Sequence, residues 1–111
     1  MSDKNYQGRE RRKSVRLNYP SNHFPRIKIS GKAYIIIDIS EIGIRFYNPL
    51  HQRMPDDLFP AHVTFQDGEQ IRVMARVVRL EPLMVALELV EGIPYQRMLA
   101  EKNLIEKPIP E

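Results

Sequence analysis

A chain of 111 residues, 42% hydrophobic and 28% charged, can bury one modest core and is too apolar to remain a disordered polymer. It has no cysteine, which excludes a disulfide framework and a thiolate metal site, and its longest apolar run, Ala33–Ile37, is too short to cross a bilayer. Charge is uneven: residues 1–16 carry six basic and two acidic side chains, the other 95 carry eleven and twelve, so a near-neutral domain follows a cationic front. With no apolar stretch behind that basic start, no secretory signal is visible and a cytoplasmic location is expected.

Residues 1–22 lack hydrophobic periodicity and end in Asn18-Tyr19-Pro20-Ser21-Asn22, a turn-forming cluster. They read as a flexible basic arm, leaving residues 23–111 as the single folded domain. The arm's centre is Arg9-Glu10-Arg11-Arg12-Lys13-Ser14-Val15-Arg16. Clustered guanidiniums suit phosphate, since each can fork two hydrogen bonds onto one anion, although a solvated tail has the same composition.

From Phe24 onward the period is two. Arg26–Ser30 alternates strictly, Ser30-Gly31-Lys32 is a turn, and Ala33–Ser40 is an isoleucine-rich strand broken at Gly43 before Ile44–Tyr47. Asn48–Pro60 is a long connection containing three prolines. Strands then follow at Ala61–Gln66, Glu69–Leu80 and Leu83–Val90, the first two joined by the hairpin signal Asp67-Gly68. Six short strands with no helix between them imply an antiparallel barrel or sandwich. After Gly92 and Pro94, the spacing of Tyr95, Met98, Leu99 and Lys102 predicts one short helix with a Tyr-Met-Leu face on the barrel, fraying at Lys107–Glu111.

Alternation assigns Ile35, Ile37 and Ile39 to the core, with Tyr34, Ile36, Asp38 and Ser40 on the opposite face. Asp38 is then a carboxylate in an apolar strand, with the Ser40 hydroxyl beside it and Gly43 at a bend where a backbone or ligand can come close. Arg45 and Tyr47 should point the same way as Asp38. Such a carboxylate can accept two hydrogen bonds from a guanine edge, anchor an arginine, or cap a turn. In the arm Arg12 and Arg16 share a face whether extended or helical, about 13 Å apart if extended.

Arg12-Lys13-Ser14-Val15-Arg16 matches RxxxR, and Asp38-Ile39-Ser40-Glu41-Ile42-Gly43 matches [DN]xSxxG some twenty residues later. In that order, at the opening of a small β-domain, these motifs resemble the PilZ family of bacterial cyclic di-GMP receptors. The resemblance runs from about Arg9 to Leu104, and Arg72–Leu80 and Val85–Leu89 look like that family's late strands. It implies a six-stranded antiparallel barrel with a C-terminal helix, and a receptor rather than an enzyme. Arg12 and Arg16 would clamp phosphate and guanine, while Asp38, Ser40 and Gly43 would line the other guanine site. Arg11, directly ahead of RxxxR, would imply two intercalated ligand molecules. Arg79 is the candidate late-strand side chain against a base. The glycine common inside the second motif is Ile42 here, which adds bulk at the turn. No resident cofactor or metal is implied, and the partner would be an unidentified downstream protein.

Other patterns are weaker. His23, His51 and His62 lack the spacing of a zinc site, Asp56-Asp57 reads as turn chemistry, and neither Ser14 nor Ser40 has a triad partner. Two other classes compete with the receptor: a small nucleic-acid-binding barrel using the same arm, disfavoured by the acidic balance of the barrel, and a PilZ-like adaptor that binds protein without nucleotide.

Overall fold

The computed structural model describes residues 16–20 and 24–106. Arg11, Arg12, His23 and the tail from Lys107 lie outside these residues. The strands are β1 (Leu17–Asn18), β2 (Arg26–Ile29), β3 (Lys32–Ser40), β4 (Gly43–Tyr47), β5 (Phe59–Thr64), β6 (Gln70–Leu80) and β7 (Met84–Glu91), followed by the helix α1 (Tyr95–Glu106). All pairings are antiparallel, in the order β1-β3-β2-β5-β6-β7-β4, and β3–β4 pairing closes β2 to β7 into a six-stranded barrel. The six expected strands are therefore present, within two residues of their expected ends, and β1 is an addition.

Turn chemistry explains the register. Ser30 and Gly31 both take positive φ (50° and 83°), the twist that a two-residue β2–β3 hairpin requires. Between β5 and β6, Gly68 (φ 95°) closes a five-residue connection in which its N–H donates to Phe65 O and the Asp67 carboxylate accepts from Glu69 N–H. The long connection after β4 is organised by Asn48, whose side chain accepts from Gln52 N–H and donates to Gln52 O, both at 3.0 Å.

The core is filled by Ile27, Ile36, Ile39, Ile44, Phe46, Val63, Val73 and Val85, all 0–1% exposed. Burying one such side chain contributes about 1.5–3 kcal/mol. Here β3 corrects the expected faces: Tyr34 and Ile36 point into the core, whereas Ile35 and Ile37 are half-buried. Pairing with β4 shifts between Ile36 and Asp38, so Ile37 is the extra residue of a β-bulge. The bulge reverses the alternation, and Ile39 returns to the core while Asp38 and Ser40 share the outer face.

Two further differences concern the ends. From Arg16 the expected arm lies on the barrel: β1 pairs with β3 at Leu17↔Ile39 and Asn18↔Asp38, and Leu17 and Tyr19 are buried. On α1, Tyr95 and Leu99 are exposed, while Arg97, Met98 and Glu101 are buried. The packed face joins Met98, which enters the core as expected, to two charged side chains whose burial is offset by ion pairing. Arg97 ion-pairs with Glu101, Asp67 (2.9 Å) and Glu69 (2.6 Å), and its guanidinium stacks 4.2 Å over Phe65. The Tyr19 hydroxyl donates to Glu101 at 2.6 Å, joining the segment after β1 to the helix.

Burial and the bond to Glu101 hold the Tyr19 phenol well above its ordinary value of 10.0. Folding thus favours the protonated phenol, and that stability is complete below pH 10 and is lost as pH rises beyond it. Tyr19→Phe should cost about 1–3 kcal/mol in urea unfolding at neutral pH. It should also flatten the decline above pH 10; parallel alkaline profiles for the two proteins would refute the assignment.

Candidate functional site

The bulge puts Asp38 on the outer face, yet its side chain is 0% exposed because two arginines cover it. Arg16, just before β1, donates from Nη1 to Oδ1 at 2.5 Å. Arg45, opposite Asp38 on β4, donates from Nε and Nη2 to Oδ2 at 2.9 and 2.6 Å. Both carboxylate oxygens are therefore held by guanidiniums from separate parts of the chain. The hydrogen bond to Asp38 also holds Arg45 above the usual arginine range. Burying an ionised carboxylate without a partner would be costly, and this pairing removes that cost. Of the three roles open to Asp38 in the sequence, this structure displays the arginine anchor.

Ser40 and Gly43 lie beside this pair. The Ser40 hydroxyl is buried and donates to Gly43 O at 3.4 Å. A Cβ on Gly43 would stand 3.3 Å from both Arg16 Nη2 and Leu87 O, so an added methyl would press on the Arg16 guanidinium and the Leu87 carbonyl together. Ile42 projects into solvent, 54% exposed, and does not crowd the cluster. The turn is held from outside: Leu89 N–H donates to Ile42 O, Ile93 N–H donates to Glu41 O, and a Cβ on Gly92 would fall 2.0 Å from Glu41 O.

Arg79 does not touch Asp38. It stands three strands away in the same outer row, Asp38–Arg45–Ala86–Arg79, which crosses β3, β4, β7 and β6 by direct pairing. Glu81 links the two arginines, 3.2 Å from Arg79 Nε and 3.9 Å from Arg45 Nη1. Of the residues expected at the site, Arg16, Asp38, Ser40 and Gly43 converge, Arg79 borders them, and Arg11 and Arg12 lie outside the described residues. Sequence reasoning missed Arg45 as Asp38's partner, Glu81 as a bridge and Gly92 as the support of the turn. Only Arg45 had a usable signal: a two-residue turn after Ser40 sets it opposite Asp38.

The structure is thus a closed antiparallel barrel with an arginine-lined charged cluster on its outer wall. The PilZ domain model matches residues 10–105, and the chain belongs to that family. PilZ domains are non-enzymatic receptor or adaptor domains that generally bind cyclic di-GMP or protein partners. The fold is similar to that of an uncharacterized protein from Legionella, with a TM-score of 0.62 and 15% identity over 81% of this chain and 92% of that one. It is also similar to the PilZ domain of CeSA from a cellulose-synthesizing bacterium, with a TM-score of 0.51 and 16% identity over 83% and 95% of the two chains. No curated protein matches the chain. Among the described residues, no helix is long and apolar enough to cross a membrane.

Arg45→Ala should leave Asp38 on Arg16 alone and lower unfolding free energy by about 1–3 kcal/mol, with Arg45→Lys recovering only part because an ammonium cannot fork. Urea titration of the three proteins measures this, and equal stability of Lys and Arg would refute the forked role. Gly92→Ala, which must move backbone, should cost about 1–3 kcal/mol or more by the same assay.

Proposed function

We propose that this PilZ domain is a non-enzymatic receptor for cyclic di-GMP, with the basic segment ahead of β1 closing over the Asp38 cluster when ligand arrives. The observation that carries this reading is the contact of Arg16 with Asp38 across Gly43, which brings the end of RxxxR onto [DN]xSxxG. Arg16 is 39% exposed, so its guanidinium can turn from Asp38 to an incoming phosphate without unpacking the core. Asp38 keeps Arg45 as its countercharge and offers Oδ1 to a guanine edge. Arg12 supplies the second guanidinium of the clamp, and Arg11 accompanies a second, intercalated ligand molecule. The domain acts in the cytoplasm, and a protein partner reads the closed form.

The adaptor reading has one observation in its favour: both oxygens of Asp38 are already occupied, so ligand must break a short ion pair. Charge-assisted phosphate contacts of about 1.5–3 kcal/mol each are large enough to offset an exchange of partners.

Isothermal calorimetry with cyclic di-GMP should show binding to the wild type, weakened roughly 10- to 150-fold in Arg12→Ala and in Arg16→Ala. Two ligand molecules should bind per protomer. Absence of binding by the wild type, or equal affinity in Arg12→Ala, would replace the receptor by the adaptor; one ligand per protomer would remove the role given to Arg11.

A further inference from the structure

Glu81 sits at the tip of the β6–β7 hairpin, where its N–H donates to Met84 O at 2.8 Å and fixes the turn that contains Pro82. Its carboxylate reaches two guanidiniums, with Oε2 3.2 Å from Arg79 Nε and Oε1 3.9 Å from Arg45 Nη1. These arginines flank Ala86 in the outer row, and Ala86 is 8% exposed, so the notch between them has a small apolar floor. Arg45 commits Nε and Nη2 to Asp38, leaving Nη1 as its end turned toward Glu81.

Two guanidiniums converging on a pair of anionic oxygens over a small side chain make a phosphate-binding geometry. Here a carboxylate of the protein itself fills it. Stability is a poor reason for that arrangement: Arg79 is 66% exposed, the Arg45 contact is long, and solvent-exposed ion pairs contribute little. Glu81 also brings a negative charge to the rim of a site that has to attract an anion.

We infer that Glu81 is a built-in competitor for ligand phosphate: its carboxylate occupies the Arg45–Arg79 notch, and a phosphodiester of the ligand must displace it to bind. This rests on the receptor reading for the identity of the ligand, while the notch itself selects for anionic phosphate. Displacement makes binding an exchange of one anion for another. Affinity is lower than the arginines alone would give, and a ligand without a phosphate charge cannot open the notch. Arg45 thereby positions Asp38 on one side and senses ligand through Glu81 on the other.

Glu81→Gln keeps size and an acceptor oxygen but removes the charge, and the backbone bond from its N–H to Met84 O, which fixes the turn, is untouched. Wild type, Glu81→Gln, Arg79→Ala and the double variant are titrated by calorimetry at low ionic strength with cyclic di-GMP and, in parallel, with inorganic pyrophosphate. Glu81→Gln should bind more tightly by about 3- to 5-fold, a gain that shrinks as salt is added. The gain should disappear in the Arg79→Ala background, which separates competition in the notch from a general change of net charge. Unchanged or weaker binding by Glu81→Gln, or a gain that persists without Arg79, overturns the inference. Wild type indifferent to cyclic di-GMP would end the receptor reading; the pyrophosphate comparison then decides the competitor role by the same criteria.

Discussion

A carboxylate with no solvent exposure has to be neutralised where it lies, and Asp38 is neutralised twice. One arginine comes from the neighbouring strand and the other from the chain ahead of the barrel. β1 has only two residues, and its ladder alone could not hold this segment in place. Leu17 and Tyr19 bury their side chains, Arg16 reaches Asp38 and Tyr19 reaches Glu101, so three residues dock by side chains more than by backbone. The position of Arg16, and with it the whole candidate site, follows from the need to satisfy one buried acid.

The sequence carried the barrel because strand alternation and turn residues are local signals, and Ser30-Gly31 and Asp67-Gly68 act where they stand. It could not reveal the bulge at Ile37. Ile35, Ile36, Ile37 and Ile39 are apolar in either phase, so the pattern reads equally well with the faces exchanged, and only pairing against β4 shows the extra residue. The α1 face was misjudged for a related reason. Hydropathy sends Arg97 and Glu101 outward, whereas mutual ion pairing and the stack on Phe65 let them lie inside. β1 is too short to have a period. Within the site, the motif residues were legible, but Glu81 and Gly92 act through turns distant in sequence and have no local signature.

Two ionic clusters meet on the short stretch Arg16–Tyr19. One runs from Arg16 through Asp38 and Arg45 to Glu81 and Arg79 along the outer wall. The other runs from Tyr19 through Glu101 and Arg97 to Asp67 and Glu69 at the β5–β6 hairpin. A backbone movement that draws Arg16 away from Asp38 also acts on a segment whose other end is bonded to α1. Helix and site therefore share a mechanical connection four residues long.

Closure of the barrel bears on how the protein behaves in a crowded solution. An open sheet presents two rows of unpaired backbone groups, and such rows template strand addition by other chains. In this fold β2 to β7 have neighbours on both sides, and β1 occupies the stretch of the β3 edge beyond the end of β2. Among the described residues, free backbone edge is confined to short stretches: the two residues of β1, and β6 beyond Ala75, where β5 no longer pairs with it. With so little open edge, what this domain presents outward is chiefly side chains, on the wall of the barrel and on the helix.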